Sequence, residues 1–187
     1  MNLKKIIQSL SSILLIIIFP IEILAQQNKI TSDLRWRNIG PSNMMGRIAA
    51  IDASNTDYRN VLIASASGGV FKSENAGITW ESIFDTYGAG SIGSVKFDQK
   101  NLNTIWVGTG ESANRNSSAW GDGIYKSVDG GKSFKNMGLE NTHQIAEIEI
   151  HPNNSDIVFA AAVGHLWGYS GDRGLFRTND GGNSWEK

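Results

Sequence analysis

One twelve-residue phrase occurs three times in this chain. Gly69-Val70-Phe71-Lys72-Ser73-Glu74-Asn75-Ala76-Gly77-Ile78-Thr79-Trp80 returns as Gly123-Ile124-Tyr125-Lys126-Ser127-Val128-Asp129-Gly130-Gly131-Lys132-Ser133-Phe134. It returns again as Gly174-Leu175-Phe176-Arg177-Thr178-Asn179-Asp180-Gly181-Gly182-Asn183-Ser184-Trp185, the copies lying 54 and then 51 residues apart. A period of that size is the mark of a modular array in which each repeat is one supersecondary unit. A residue required in every module is therefore read first as structural.

Two further pieces precede each phrase. The first alternates apolar and polar residues, as in Ile48–Asp52, Ile92–Asp98 and Ile145–His151, the period of a half-buried strand. Polar turns follow at Asn55–Asp57, Lys100–Asn103 and Pro152–Asp156. The second piece is more continuously apolar: Val61–Ala64, Ile105–Gly108 and Ile157–Ala162. Such runs suit strands covered on both faces. One unit is thus strand, turn, strand, loop, strand, acidic turn, strand. Four antiparallel strands in about 50 residues make a propeller blade, with the alternating strand innermost and the outermost starting at the closing Trp or Phe. No apolar stripe at helical spacing is present, and the 21 glycines against 3 prolines suit short strands and tight turns.

The expected fold is all-β, a β-propeller of four-stranded antiparallel blades, here an incomplete ring of about three: 46–84, 90–138 and 143–187. The segment 34–40, with Trp36-Arg37-Asn38-Ile39-Gly40, matches Phe134–Gly138 and is expected as the outermost strand of the ring-closing blade. Rings take four to eight blades, so the expectation is an N-terminal fragment of a longer protein.

Residues 1–25 stand apart. Lys4 and Lys5 precede the apolar core Ile13–Phe19, and Ile23-Leu24-Ala25 ends on a small residue. This is the pattern of a secretory signal peptide cut before Gln26; the apolar run is too short for a membrane span. Residues 26–32 are then a linker and 33–187 the partial propeller. The destination is periplasmic, cell-surface or secreted. Cysteine is absent, so packing and ladder hydrogen bonds must hold the domain together. A net charge of −1 without a basic run gives nucleic acid no footing. His143, His151 and His165 show no metal-ligand spacing, and no phosphate loop with strand–helix context exists; no metal or cofactor is expected.

The acidic turn reads Ser/Thr-x-Asp-x-Gly-x-Ser/Thr-aromatic: Ser73, Asn75, Gly77 and Trp80; Ser127, Asp129, Gly131 and Phe134; Thr178, Asp180, Gly182 and Trp185. The acid accepts backbone N–H groups a few residues on, and Gly supplies backbone angles closed to other residues. Asn75 stands where the other copies have Asp, which argues against acid–base chemistry at this position.

Function is expected on the opposite rim, where the loops between second and third strands differ most among the units. Residues 65–68 are minimal, 109–122 long, and 164–173 intermediate. Glu111 and Asp122 are the candidate catalytic carboxylates. Arg115, Trp120, His165, Trp167, Tyr169 and Arg173 are the candidate binding residues, with Asp172 and Arg47 beside them. Indole and phenol rings offer flat faces to sugars or peptide side chains, and Arg can hold a carboxylate bidentately.

The acidic turns, Leu34–Pro41, Trp120-Gly121-Asp122-Gly123, Gly164-His165-Leu166-Trp167-Gly168 and the leader together resemble one family. It is the large exported bacterial Asp-box (BNR-repeat) proteins with a sortilin-type N-terminal propeller, often labelled glycosyl hydrolase-like. The resemblance covers nearly all of residues 33–187 and implies a multi-bladed propeller longer than this chain. Asp boxes are shared by sialidases, xyloglucanases and sortilin receptors, so they mark a fold and not an activity. No positions match the sialidase arginine triad or Tyr nucleophile. Where xyloglucanases carry a catalytic Asp before Gly-Gly-apolar-aromatic, this chain has Ala66 or Ser67 before Gly68-Gly69-Val70-Phe71. The expected function is an exported module binding a peptide or glycan on the rim. The alternatives are a sialidase- or xyloglucanase-like glycoside hydrolase with carboxylates partly in further blades, and a scaffold domain of a larger surface protein. The expected partners are that ligand and the C-terminal remainder of the same protein.

The leader is directly testable. Expression in a bacterium with a Sec pathway should yield a mature chain beginning at Gln26 by N-terminal sequencing. A product retaining Met1 would refute the cleavage.

Overall fold

The computed structural model describes residues 47–113, 116–168 and 171–187, all in one compact unit, Gly40–Lys187. The leader, the linker and segment 34–40 lie outside the described residues, as do Arg115 and Tyr169. Three antiparallel meanders form. The first joins β1 (Ile48–Ala53), β2 (Val61–Ser65), β3 (Gly69–Ser73) and β4 (Glu81–Ser82). The second joins β5 (Ile92–Asp98), β6 (Asn101–Thr109), β7 (Ile124–Ser127) and β8 (Lys135–Asn136). The third joins β9 (Ile145–Ile150), β10 (Val158–Ala162) and β11 (Gly174–Thr178), with a bridge from Arg177 to Glu186 where the repeat puts a fourth strand. The only helical piece among the described residues is a 3-10 turn at Glu140–Thr142. Inner strands neighbour one another, β1 beside β5 and β5 beside β9. The fold is an all-β section of a propeller.

Three details depart from the sequence expectation. Segment Lys100–Asn103 is not a turn: β6 begins at Asn101, and the reversal is confined to Gln99 and Lys100, with Asp98 accepting the Lys100 N–H (2.9 Å). The outer strands start one residue past the aromatic, because Trp80 and Phe134 leave the ladder; the Phe134 N–H donates instead to the Tyr87 hydroxyl (2.7 Å). The burial patterns also differ between copies. Inner strand β5 is covered on both faces, not one, while β2 and β10 alternate and only β6 is buried through its second half. Among the described residues the middle sheet alone has a neighbour on each side, so position in the array overrides strand pattern.

Two cores result, one in each gap between sheets. Leu62, Ala64 and Val70 of the first sheet meet Val95, Phe97, Ile105 and Val107 of the second. Trp106 and Ile124 of the second meet Ile145, Ile148, Val158 and Ala160 of the third. Each large side chain buried in this way contributes roughly 1.5–3 kcal/mol.

The repeated phrase builds the gap as well as the turn. Its basic residue reaches forward: Lys72 Nζ donates to the Gly130 carbonyl of the next acidic turn (3.1 Å), and Lys126 Nζ to that of Gly181 (3.0 Å). Its aromatic reaches backward: Trp185 Nε1 donates to the Met137 carbonyl (2.8 Å), and its ring meets Trp106 edge-on. Phe134 likewise packs edge-on against Phe84 and Tyr87. The second glycine is held to glycine twice over. Gly131 and Gly182 sit at φ 95° and 97°, left-handed angles that side chains avoid. A Cβ there would stand 2.8 Å from Ile83 and 2.7 Å from Trp106.

Within each turn the hydroxyl and the acid share the work. Ser127 Oγ accepts the Gly131 N–H (2.9 Å) and donates to Asp129 Oδ1 (2.8 Å). Asp129 also accepts the Ser133 N–H (2.9 Å) and hydroxyl (2.6 Å). Thr178, Asp180 and Ser184 repeat the set. Asn75 keeps the backbone bond from Thr79 (2.9 Å) but donates its amide to the Thr79 hydroxyl (2.8 Å). Hydrogen bonds from Ser133 hold Asp129, and those from Ser184 hold Asp180, well below the usual carboxylate range. A carboxylate depressed in the fold stabilises it above the unfolded value and loses that contribution as pH falls toward the folded one. The variant Asp129→Asn/Asp180→Asn should therefore fold, and from about pH 6 to about pH 2 lose less stability in urea melts than wild type. Parallel losses would refute the assignment.

Candidate functional site

The chain enters its inner strands at Arg47, Ser91 and Gln144. Each of these carbonyls accepts an N–H from the residue just leaving the second strand: Ala66 (3.1 Å), Gly110 (2.7 Å) and Val163 (2.9 Å). In an antiparallel meander this gathers the strand entrances and the variable loops on one rim, opposite the acidic turns.

The long second loop is pinned at its base. Thr109 Oγ1 donates to the Gly123 carbonyl (2.7 Å) and accepts the Asp122 N–H (2.8 Å), while the Gly121 N–H reaches the His143 carbonyl (2.7 Å). Asp122 accepts the Tyr125 hydroxyl (2.7 Å), and its other carboxylate oxygen lies 3.2 Å from Thr109 Oγ1. Tyr125 in turn packs edge-on to Phe84 and Tyr87, and burial pushes its phenol pKa up. The inter-sheet core thus orients the loop. Glu111 is buried, its side chain 1% exposed, and it pairs with Arg47. Both candidate carboxylates are engaged by protein groups. The position preceding Gly68 holds no carboxylate: Ala66 is buried and Ser67 is tied through its N–H to Ser65 (3.3 Å).

The third loop is held by Arg173, whose Nε donates to the Val163 carbonyl (2.6 Å) and Nη2 to that of His165 (3.3 Å). Asp172 lies 3.8 Å from His165. A column of rings links the two loops. Trp120 lies 4.6 Å from His143, centroid to centroid, and His143 stacks on His165 at 3.8 Å and 23°. Burial lowers the His143 pKa, the neighbouring His165 lowers it further, and Asp172 opposes both. Trp120 and Trp167 stay 64% and 71% exposed, so neither is a local core. Three buried polar atoms here, Nδ1 of His143 and both amide atoms of Gln144, have no hydrogen-bond partner among the described residues.

The structure therefore brings together Trp120, His165 and Asp172, and joins Arg47 to Glu111. It engages Asp122 and Arg173 in positioning the loops. From the sequence His143 is weighed only as a metal ligand, and Gln144 is not named. They lie outside the variable loops, at a strand entrance that nothing local marks. No group of three or more metal-ligating side chains occurs among the described residues.

No family model and no curated protein sequence matches the chain. Solved structures do. An ancestral GH74 enzyme superposes with a TM-score of 0.62 at 24% identity, over 82% of this chain and 19% of its own. The GH74 xyloglucanase from Xanthomonas campestris gives 0.58 at 16%, over 82% and 22%. YCF48 bound to D1 peptide gives 0.52 at 16%, over 82% and 44%. At these identities the likeness is one of fold, and the chain spans about a fifth of the length of the two GH74 enzymes and under half of YCF48.

The Arg47–Glu111 pair is asymmetric, since the arginine is 45% exposed and the glutamate buried. Arg47→Ala removes a cation from a buried carboxylate and should cost about 1–3 kcal/mol by chemical denaturation. Glu111→Gln should cost less, and the reverse order would refute the pairing.

Proposed function

We propose that the chain is part of an exported propeller that binds a peptide or glycan ligand on the rim opposite its acidic turns, with blades near 46–84, 90–138 and 143–187. The observation that carries this reading is the ring column. Trp120, His143 and His165 span two variable loops on a pinned base, and Trp167 adds a second exposed indole. Such faces take sugar rings or apolar side chains at low conformational cost. The YCF48 structure holds a D1 peptide, which supports a peptide on this architecture. Export rests on the leader alone.

Screening the mature protein on peptide and glycan arrays should return a ligand. Trp120→Ala/Trp167→Ala should weaken it by tenfold or more, about 1.4 kcal/mol. An array hit indifferent to both indoles would sink the proposal. A second reading, a glycoside hydrolase, is favoured by the GH74 architecture of two compared structures. It demands a mobile proton on a carboxylate. Cleavage of an arrayed glycan, abolished by a Glu111→Gln variant that circular dichroism shows to be folded, would establish it in place of pure binding.

A further inference from the structure

Two imidazoles stacked face to face can share one proton's charge but not two. His143 stands at the entrance to β9 and His165 just beyond β10, and their rings lie 3.8 Å apart at 23°. Histidine is the side chain that ordinarily changes charge between about pH 5 and pH 8. With both rings neutral the stack is an ordinary contact. With both charged it sets two cations against each other at a distance where their repulsion is large.

The surroundings do not balance a second charge. Asp172 lies 3.8 Å from His165 Nε2 and faces a cation there. Arg173, from the same loop, sends its guanidinium to the Val163 and His165 carbonyls and adds positive charge. From the long loop, Trp120 presents an indole to His143 (4.6 Å), and Glu111 is paired with Arg47. Glu140, on the 3-10 turn before His143, is exposed. Burial and then His165 hold the His143 pKa below the ordinary 6.5, with Asp172 opposing. An imidazole depressed in this way binds protons less readily folded than unfolded, so acid works against the stack and base does not.

His143 is the ring that stays. It is the centre of a γ-turn at φ 56° and ψ −36°, with the Gln144 N–H donating to the Thr142 carbonyl (2.6 Å). That conformation is rare and persists where the surroundings enforce it. Here the Gly121 N–H donates to the His143 carbonyl (2.7 Å), and a Cβ on Gly110 would stand 2.1 Å from that oxygen. The long loop thus clamps His143, and the Trp120 face attracts a charged imidazole. His165 has a side chain 44% exposed, and its carbonyl accepts Arg173 Nη2 at 3.3 Å. Repulsion is therefore relieved on the His165 side.

We propose that the His143–His165 stack is a proton-sensitive joint between the second and third units of the rim, closed near neutral pH and parted when both rings are charged, so that a ligand on the ring column is released in mild acid. The release rests on the binding reading above; the joint does not.

The chain has three histidines, and His151, exposed in the turn after β9, serves as internal reference. Histidine-selective NMR of the mature chain, from about pH 8 to about pH 4.5, follows all three without any ligand. His151 should titrate in one step. His143 and His165 should titrate in two coupled steps, and the cross-relaxation between their rings should vanish at the second. His165→Phe keeps a ring in the stack and removes its proton. In that variant, checked for folding by circular dichroism, His143 should titrate in one step at least about half a pH unit higher and keep its contact with the introduced ring throughout. Independent single steps at His143 and His165, or rings still in contact when both are charged, would overturn the joint. Repeating the array screen at about pH 5 reads the consequence: a hit should weaken tenfold or more with wild type and less with His165→Phe. A hit held equally at both pH values would overturn release. Arrays without any hit would remove release together with the binding reading, while the titration still decides the joint.

Discussion

The structure depends on the seam between consecutive sheets, and that seam is written into the acidic-turn phrase. A lone four-stranded sheet of this size has two apolar faces and nothing to cover them. Three couplings recur at the two seams: a lysine (Lys72, Lys126) reaching forward to a glycine carbonyl, an aromatic (Phe134, Trp185) reaching backward to the preceding sheet, and a glycine (Gly131, Gly182) whose missing side chain lets the seam close. The lysine bonds are charge-assisted and partly shielded, so they outrank an ordinary surface contact. The carboxylate of the turn is a fastening inside its own module, which is why Asn75 serves in its place.

The rim follows from that arrangement. Because the seams consume the strand faces and the acidic turns, the loops at the other end are the part of each module left to vary. The base of the long loop is tied to the inter-sheet core through Asp122 and Tyr125, so rigid packing is transmitted to the loop without dictating its tip. The ring column then spans the boundary between modules, with His143 contributed by a strand entrance and its neighbours by two different loops. A site of this kind belongs to the assembly and to no single repeat.

Much of the fold was legible in the chain, for a definite reason. A strand period of two and a repeat near fifty residues are local and repeated, so errors in one copy are corrected by the others. Strand burial was less legible: β1, β5 and β9 have similar alternation, yet only β5 is covered on both sides. The site was legible in part. Trp120, Trp167 and His165 stood out because they sit in loops that differ between copies. Glu111 and Asp122 stood out for the same reason, but the structure engages both with protein partners, Arg47 in one case and Tyr125 in the other. The lysine staple carried a visible signal, a basic residue in all three copies, whose meaning depends on a partner about 55 residues away.

The sequence by itself determined the module: its four-strand order, its acidic turn and the residues that close it, because each depends on neighbours a few positions apart. Only the tertiary structure decided which faces are covered, which carboxylates are engaged, and which rings meet. Those outcomes turn on contacts between modules, where the partner's identity is set by how sheets pack and not by spacing along the chain.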